Sequence, residues 1–334
     1  MRYPSRTDIV TAMSNPKVSY KSNELIGGSI IHKGSRVIQY SGGFTTVFPF
    51  ISSNGKKMAV RLWIADIGDA KKRSLKISEY LKHLNSKYFV NFEYLENAIL
   101  INGQLYPVVI MDWIEGHTLK DYINTYISDS PKLLCLSDRF RKMVLFFHQQ
   151  NIAHGDLQHG NILVKPDGEL VVIDYDSMYV EPLYGMQDII KGLPGYQHPK
   201  RRSNKLVDFR LDYFSELVIF LSILIFAKEP PLWEDYYETE DLLFSISDFE
   251  KPSFSPLINR FLNDKDAIIS ELTKKLVEEL AVDDLKQLHP LEENLVNKLK
   301  TAKDGIFNKI DSVQNTTPMN DVIFPRIKNI TDKF

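Results

Sequence analysis

The 334-residue sequence predicts an α+β protein of two lobes, a small antiparallel β-sheet lobe carrying one helix and a larger, mainly helical lobe after it. Three observations carry that expectation. Two asparagine-glycine pairs, Asn54-Gly55 and Asn102-Gly103, each sit between apolar, β-branched runs, a strong hairpin signal because both turn residues favour positive φ. Between them, residues 69–84 place Ile77, Leu81 and Leu84 at helical spacing behind a run of lysines and arginine that reads as solvent-facing. After Trp113-Ile114-Glu115-Gly116 the texture turns helical: Leu119, Tyr122, Ile123 and Tyr126 share one face, as do Phe140, Met143, Val144 and Phe147.

In chain order, the expected units are an N-terminal extension over residues 1–34, a small lobe over 35–113, a large lobe over 114–283 and a helical tail over 284–334. Residues 292–310 of the tail read as an exposed, peripheral helix. A third hairpin, Ile162 to Ile173 around Asp167-Gly168, separates two polar clusters in the large lobe. The most apolar run, Leu217 to Ala227, is too short to cross a bilayer and reads as a buried helix. Apolar residues make up 43% of the chain, enough to fill real cores. With 41 basic against 43 acidic side chains, no global field recruits nucleic acid or an anionic membrane. The single cysteine, Cys135, fits a reducing compartment and a packing role, and the N-terminus lacks the apolar core of a secretory signal, so the expectation is a cytoplasmic protein.

The chemistry concentrates at the ends of the third hairpin. Asp156 lies five residues before Asn161, and the hairpin's far end delivers Asp174, so three oxygen-bearing side chains converge. Phosphoryl transfer from ATP needs divalent metal to neutralise the phosphates and a carboxylate to orient the attacking hydroxyl. Asp156 is the expected proton acceptor, with Asn161 and Asp174 as ligands of Mg2+.

The runs His154-Gly-Asp-Leu-Gln-His-Gly-Asn161 and Asp174-Tyr-Asp176 resemble the catalytic-loop and metal-binding motifs of the protein-kinase superfamily. That resemblance implies a bilobal protein-kinase-like fold and extends over roughly residues 35 to 280. It implies that Arg61, in Met58-Ala-Val-Arg61, stands at the phosphate-gripping strand lysine and that Glu79 is its helix partner, both in catalytic roles. It places Met111, Asp112 and Ile114 on the adenine-binding hinge, and Val47, Ala59 and Leu163 above and below the adenine ring. Gly42, Gly43 and Thr45 fall in the phosphate loop, Gly192 to Pro199 at the end of the activation segment, and Asp212 at a buried anchor for the helix that follows. More narrowly, the chain resembles an atypical group of bacterial serine/threonine-kinase-like proteins sharing H-G-D-L-Q-H-G-N and D-Y-D.

The departures from the pattern are specific. Tyr40 and Thr45 occupy outer glycine positions of the phosphate loop, leaving the hydroxyls of Ser41, Thr45 and Thr46 as alternative donors to phosphate. Arg61 is a planar fork where a point charge is usual. Gly155 replaces an arginine, Gln158 a lysine, Leu193 a threonine and Lys200 a glutamate. His154 reads as a backbone fastener, His159 and His198 lack partners at zinc spacing, and Asp176 reads equally as a metal ligand or a solvated turn residue. The function expected is ATP-dependent transfer of the γ-phosphate to a hydroxyl, on serine or threonine of a protein, with Mg2+. A pseudokinase scaffold and a small-molecule phosphotransferase are the alternatives.

Overall fold

In the computed structural model, residues 3–66 and 68–295 are described. The small lobe is made of hairpins. Strands β1 (Thr45–Ile51) and β2 (Lys57–Trp63) pair antiparallel through residues 52–56, where only Gly55 takes positive φ, 81°. The pair Asn102-Gly103 behaves as its composition demands: both residues are left-handed, φ 48° and 80°, and they close β3 (Phe92–Ile101) tightly onto β4 (Gln104–Asp112). The resulting sheet runs Ser29–Ile30, β1, β2, β4, β3, with Tyr40–Ser41 paired onto β1.

Alternation along β2 decides which side chains face the site. Met58, Val60 and Leu62 pack on the outer face with Phe48 and Phe50, while Ala59 and Trp63 turn inward to the main core, carrying Arg61 to the same side. The outer face is covered by the chain's own beginning. Helix α1 (Arg6–Met13), capped reciprocally by Ser5 and Asp8, buries Ile9, Ala12 and Met13 there together with Tyr20, Leu25 and Ile30. The residues expected as an N-terminal extension are thus packed into the small lobe.

Helix α2 (Ala70–Leu84) lies under the sheet with Ile77 and Leu81 buried. Its basic run is not all solvent-facing, because Arg73 is 3% exposed and donates from Nη2 to the carbonyl of Gln187 in the large lobe. The large lobe holds α3 (Leu119–Tyr126), α4 (Ser130–Gln149), the hairpin β5 (Ile162–Val164) and β6 (Leu170–Val172), α5 (Tyr213–Lys228) and α6 (Ala267–Leu280). Every residue of α5 from Tyr213 to Ala227 is buried, which explains its unbroken apolar run. Among the described residues no helix is long and apolar enough to cross a membrane.

The short helix α7 (Leu291–Leu295), at the start of the expected exposed tail, is packed on the large lobe. Leu288, Leu291 and Leu295 are buried, and Glu292 accepts from Nδ1 of His148 at 2.7 Å. His148, on α4, also meets Glu216 on α5 through Nε2 at 2.9 Å, so the segment is fastened to the large lobe by packing and by charge. The rest of the predicted tail lies outside the described residues.

Candidate active site

The loop that carries Asp156 is held in place by its backbone. Asp212, 1% exposed at the start of α5, accepts the N–H of His154 on Oδ2 and that of Gly155 on Oδ1 at 2.9 Å. His154 is fully buried, with Nε2 at 2.8 Å from the carbonyl of Ile173 and Nδ1 accepting the N–H of Asp156 at 3.4 Å. It fastens the loop to the segment that carries Asp174, as its position in the sequence suggests. Gly155 cannot be an arginine here: its φ is 76°, and a Cβ would lie 2.3 Å from the carbonyl oxygen of Ser177. A guanidinium nevertheless reaches the spot from elsewhere. Arg201, 2% exposed, donates from Nη2 to the Gly155 carbonyl at 3.0 Å and grips Asp188 with Nε at 2.7 Å and Nη2 at 3.0 Å. Its neighbour Lys200 is on the surface, paired with Asp283.

Asp156 is oriented by two donors. Asn161 gives its amide Nδ2 to the Asp156 carbonyl at 2.9 Å and to Oδ2 at 3.1 Å, and the N–H of Leu193 reaches Oδ1 at 3.0 Å. The missing threonine hydroxyl is thereby replaced by a backbone N–H, while Gln158 folds back to accept from the N–H of Gly160 at 2.6 Å. Burial pushes the Asp156 carboxyl up to about 6, with His154 opposing and Asp174 adding to the rise. That is the range suited to accepting a proton near neutral pH.

Asp174 and Asn161 stand on the two sides of the β5–β6 hairpin, joined by the N–H of Ile173 donating to the Asn161 carbonyl at 2.9 Å. With Asn161's amide nitrogen committed to Asp156, its oxygen is the atom left for a cation. Among the described residues no three His, Cys, Asp or Glu side chains converge as a metal cage. One carboxylate and one amide oxygen, with phosphates completing the shell, is the hard, sparse donor set that suits Mg2+.

Arg61 overturns one expectation. Only 4% exposed, it takes its carboxylate partners from the segment after the hairpin and not from the helix: Nη1 is 3.2 Å from Asp174 and Nη2 contacts Asp176. Burial opposes its charge, but Asp176 and Asp174 outweigh that and hold its pKa raised. Glu79 lies exposed on the outer face of α2, because the helix presents Arg73, Ser74 and Ile77 to the site. The buried charged residue of that helix is Arg73, not an acid. Asp176 resolves its two readings towards neither, since its side chain, 10% exposed, is the partner of Arg61. Between the two acids Tyr175 is anchored in the core, donating to the Val172 carbonyl and accepting the N–H of Val90, each at 2.8 Å.

The nucleotide-side residues are placed by strand register. Ala59 pairs opposite Met111 across β2 and β4, Val47 opposite Arg61 across β1 and β2, and Leu163 is half-buried on β5. At the hinge, Asp112 has its N–H committed to the carbonyl of Asn91 at 3.1 Å and its carboxylate paired with Lys56 at 2.5 Å, while Ile114 is half-buried beyond it. Gly42 and Gly43 are open, with no atom within 4 Å of an added Cβ. The carbonyl of Gly42 accepts from Arg6 Nη2 at 2.7 Å, tying the loop to α1. Thr45 and Thr46 are buried, and the Thr46 hydroxyl is 3.0 Å from that of Ser41, so those two hydroxyls pair within the loop.

Reasoning from sequence missed Arg201, Arg73, Arg6 and His148, whose partners are carbonyls or residues far along the chain. The only available signal was the basic run Lys200-Arg201-Arg202 immediately after the Gly192 to Pro199 segment.

Residues 41–290 match the protein kinase domain. The chain is 24% identical over 256 residues to the serine/threonine-protein kinase STE20 of Eremothecium gossypii, covering 72% of this chain and 25% of that protein. It is 23% identical over 234 residues to the serine/threonine-protein kinase max-2 of Caenorhabditis elegans, covering 69% and 35%. Against the probable serine/threonine-protein kinase mkcE of Dictyostelium discoideum the identity is 25% over 201 residues, covering 58% and 27%. The chain therefore spans about a quarter to a third of the length of these curated relatives. Since the matched stretch takes in most of the sequence and both halves of the site just described, the chain belongs to the protein kinase domain family.

Proposed function

We propose that this chain is an atypical ATP-dependent kinase that transfers the γ-phosphate to a serine or threonine hydroxyl of a protein in the cytoplasm. The observation that carries the reading is Asp156, oriented by Asn161 and the Leu193 N–H and raised to about 6 by burial. The acceptor hydroxyl gives its proton to Asp156, its oxygen forms the bond to the γ-phosphorus, and the bond to the bridging oxygen breaks with the electron pair leaving on ADP. Val47, Ala59 and Met111 line the adenine side with Leu163 below, Asp112 and Ile114 offer hinge backbone, and Gly42 and Gly43 leave room for phosphates. Asn161 and Asp174 are the side chains that would hold Mg2+, which supplies charge neutralisation of the phosphates when bound. Arg61 is the phosphate-side cation, kept in place by Asp176. The catalytic unit spans residues 35–283, with residues 3–34 and 284–295 packed against it as supports. The H-G-D-L-Q-H-G-N and D-Y-D motifs favour membership of the atypical bacterial group.

One observation favours a second reading, a nucleotide-binding scaffold without turnover: Arg61 engages Asp174 itself. Phosphate transfer from γ-labelled ATP, to the protein itself or to casein, separates the two. Asp156→Ala and Asp174→Ala are each expected to lower transfer at least a hundredfold, and the wild-type rate is expected to rise with pH through about 6 as Asp156 ionises. Magnesium-dependent ATP binding with no transfer by the wild type would establish the scaffold instead, and transfer that survives both substitutions would remove Asp156 and Asp174 from the mechanism.

A further inference from the structure

Gln197 is 5% exposed, and the two ends of its amide are treated unequally. Oε1 accepts from Arg201 Nη1 at 2.8 Å, whereas Nε2 is buried with no partner. Chemistry fixes that orientation. A guanidinium carries only donors, so the end of the amide that faces it must be the oxygen. Arg201 cannot swing away to accommodate a flip, being committed to Asp188, Gly155 and the Leu211 carbonyl at 3.3 Å. The orphaned N–H2 is thus held by design of the surrounding contacts, and a buried donor left unpaired costs about 1–3 kcal/mol.

Its direction is set by Gly192. That residue has φ 74°, and a Cβ built on it would lie 2.8 Å from Gln197 Nε2 and 2.9 Å from Asp156 Oδ1. The free donor and the Asp156 carboxylate therefore both border the bare side of one Cα, that of Gly192. This is also where the site is short of donors, since Leu193 has no hydroxyl, Gln158 is turned back onto Gly160, and Arg61 lies on the opposite side with Asp174 and Asp176.

We infer that Gln197 is an acceptor-holding catalytic residue, its Nε2 donating to the hydroxyl oxygen of the acceptor while Asp156 accepts the proton of that same hydroxyl. The inference rests on the kinase reading above. It gives the orphaned donor a partner in the complex, and it accounts for glycine at position 192, where any side chain would fill the gap between the two groups.

The test is transfer from γ-labelled ATP to casein by the full chain, with unfolding followed in urea. Gln197→Met keeps the volume and deletes the donor, and with it the Oε1 acceptor of Arg201 Nη1, which keeps the Leu211 carbonyl; kcat is expected to fall about 10- to 100-fold with the KM for ATP unchanged, and the urea midpoint to fall modestly. Gln197→Glu places a second carboxylate beside Asp156 and is expected to move the acidic limb of the pH–rate profile to higher pH. Wild-type transfer that depends on Asp156, combined with Gln197→Met within twofold of wild type, overturns this inference alone. A fall in kcat for Gln197→Met combined with an unmoved Gln197→Glu profile makes Gln197 structural and also overturns it. Absence of any wild-type transfer overturns the kinase reading and this inference together.

Discussion

The two halves of the site are built on different principles. On the large-lobe side, Asp156 sits in a loop fixed by buried acceptors and donors that mostly address backbone: Asp212 on two N–H groups, Arg201 on the Gly155 carbonyl, His154 on Ile173. On the small-lobe side, one guanidinium stands between two carboxylates, and the helix meant to support it contributes Arg73 and not an acid. A backbone-directed scaffold tolerates changes of side chain nearby, which is how Gln158 and Leu193 coexist with a well-oriented Asp156 carboxylate. A charge-directed clamp has no such redundancy, and it is the clamp that has been rewired.

The largest effect should come from breaking the large-lobe scaffold at its buried ion pair. Arg201→Ala leaves Asp188, itself 1% exposed, with Lys191 and Asn204 only. Urea unfolding is expected to show a loss of about 3–5 kcal/mol. A loss below about 1 kcal/mol would mean the loop is held by Asp212 alone.

Next is the clamp. Double-mutant cycles on stability should give Arg61 and Asp176 a coupling of about 1–3 kcal/mol, and Arg61 with Glu79 less than about 0.5 kcal/mol. Coupling to Glu79 comparable with that to Asp176 would restore the helix as the partner and erase the contrast between the halves.

His148 extends the comparison to the far side of the large lobe. Burial pulls its pKa down, but Glu216 and Glu292 outweigh that and raise it from 6.5 to about 10, with Tyr213 edge-on at 5.0 Å. Because the folded value lies above the unfolded one, the stability His148 supplies is complete below about pH 6.5 and is lost as pH rises towards 10. Wild-type unfolding free energy should therefore drop by about 1–2 kcal/mol more than that of His148→Gln over that interval. Parallel profiles would show that packing of Leu291 and Leu295 holds α7 without help from charge.

The smallest effect is expected at Arg6. Arg6→Ala frees the Gly42 carbonyl on the exposed rim, so stability should change by less than about 0.5 kcal/mol while the KM for ATP rises about two- to fivefold. An unchanged KM would separate α1 from the phosphate loop.

What could be read in advance follows the same division. The trio Asp156, Asn161 and Asp174 and the hairpin between them were legible because spacing along a short local segment dictates their placement. The partner of Arg61 was not, because Asp176 and Glu79 are both compatible with the sequence and only the facing of α2 chooses between them. Arg201 was hidden for a different reason: three of its acceptors are backbone carbonyls, which every residue carries. The first 34 residues looked detachable since Ile9, Met13, Tyr20 and Leu25 are too sparse to announce a face, although each is buried against the sheet.

That last arrangement has a practical side. Severing the chain between Tyr20 and Ser29 would strip the cover from Phe48 and Phe50, both fully buried, and leave two adjoining aromatic side chains in water on the back of the sheet. Expression boundaries drawn at the start of the matched domain, residue 41, would discard that cover and the Arg6 tether together. A preparation made that way is expected to aggregate, and any weakness it showed towards ATP would belong to the truncation, not to the intact chain.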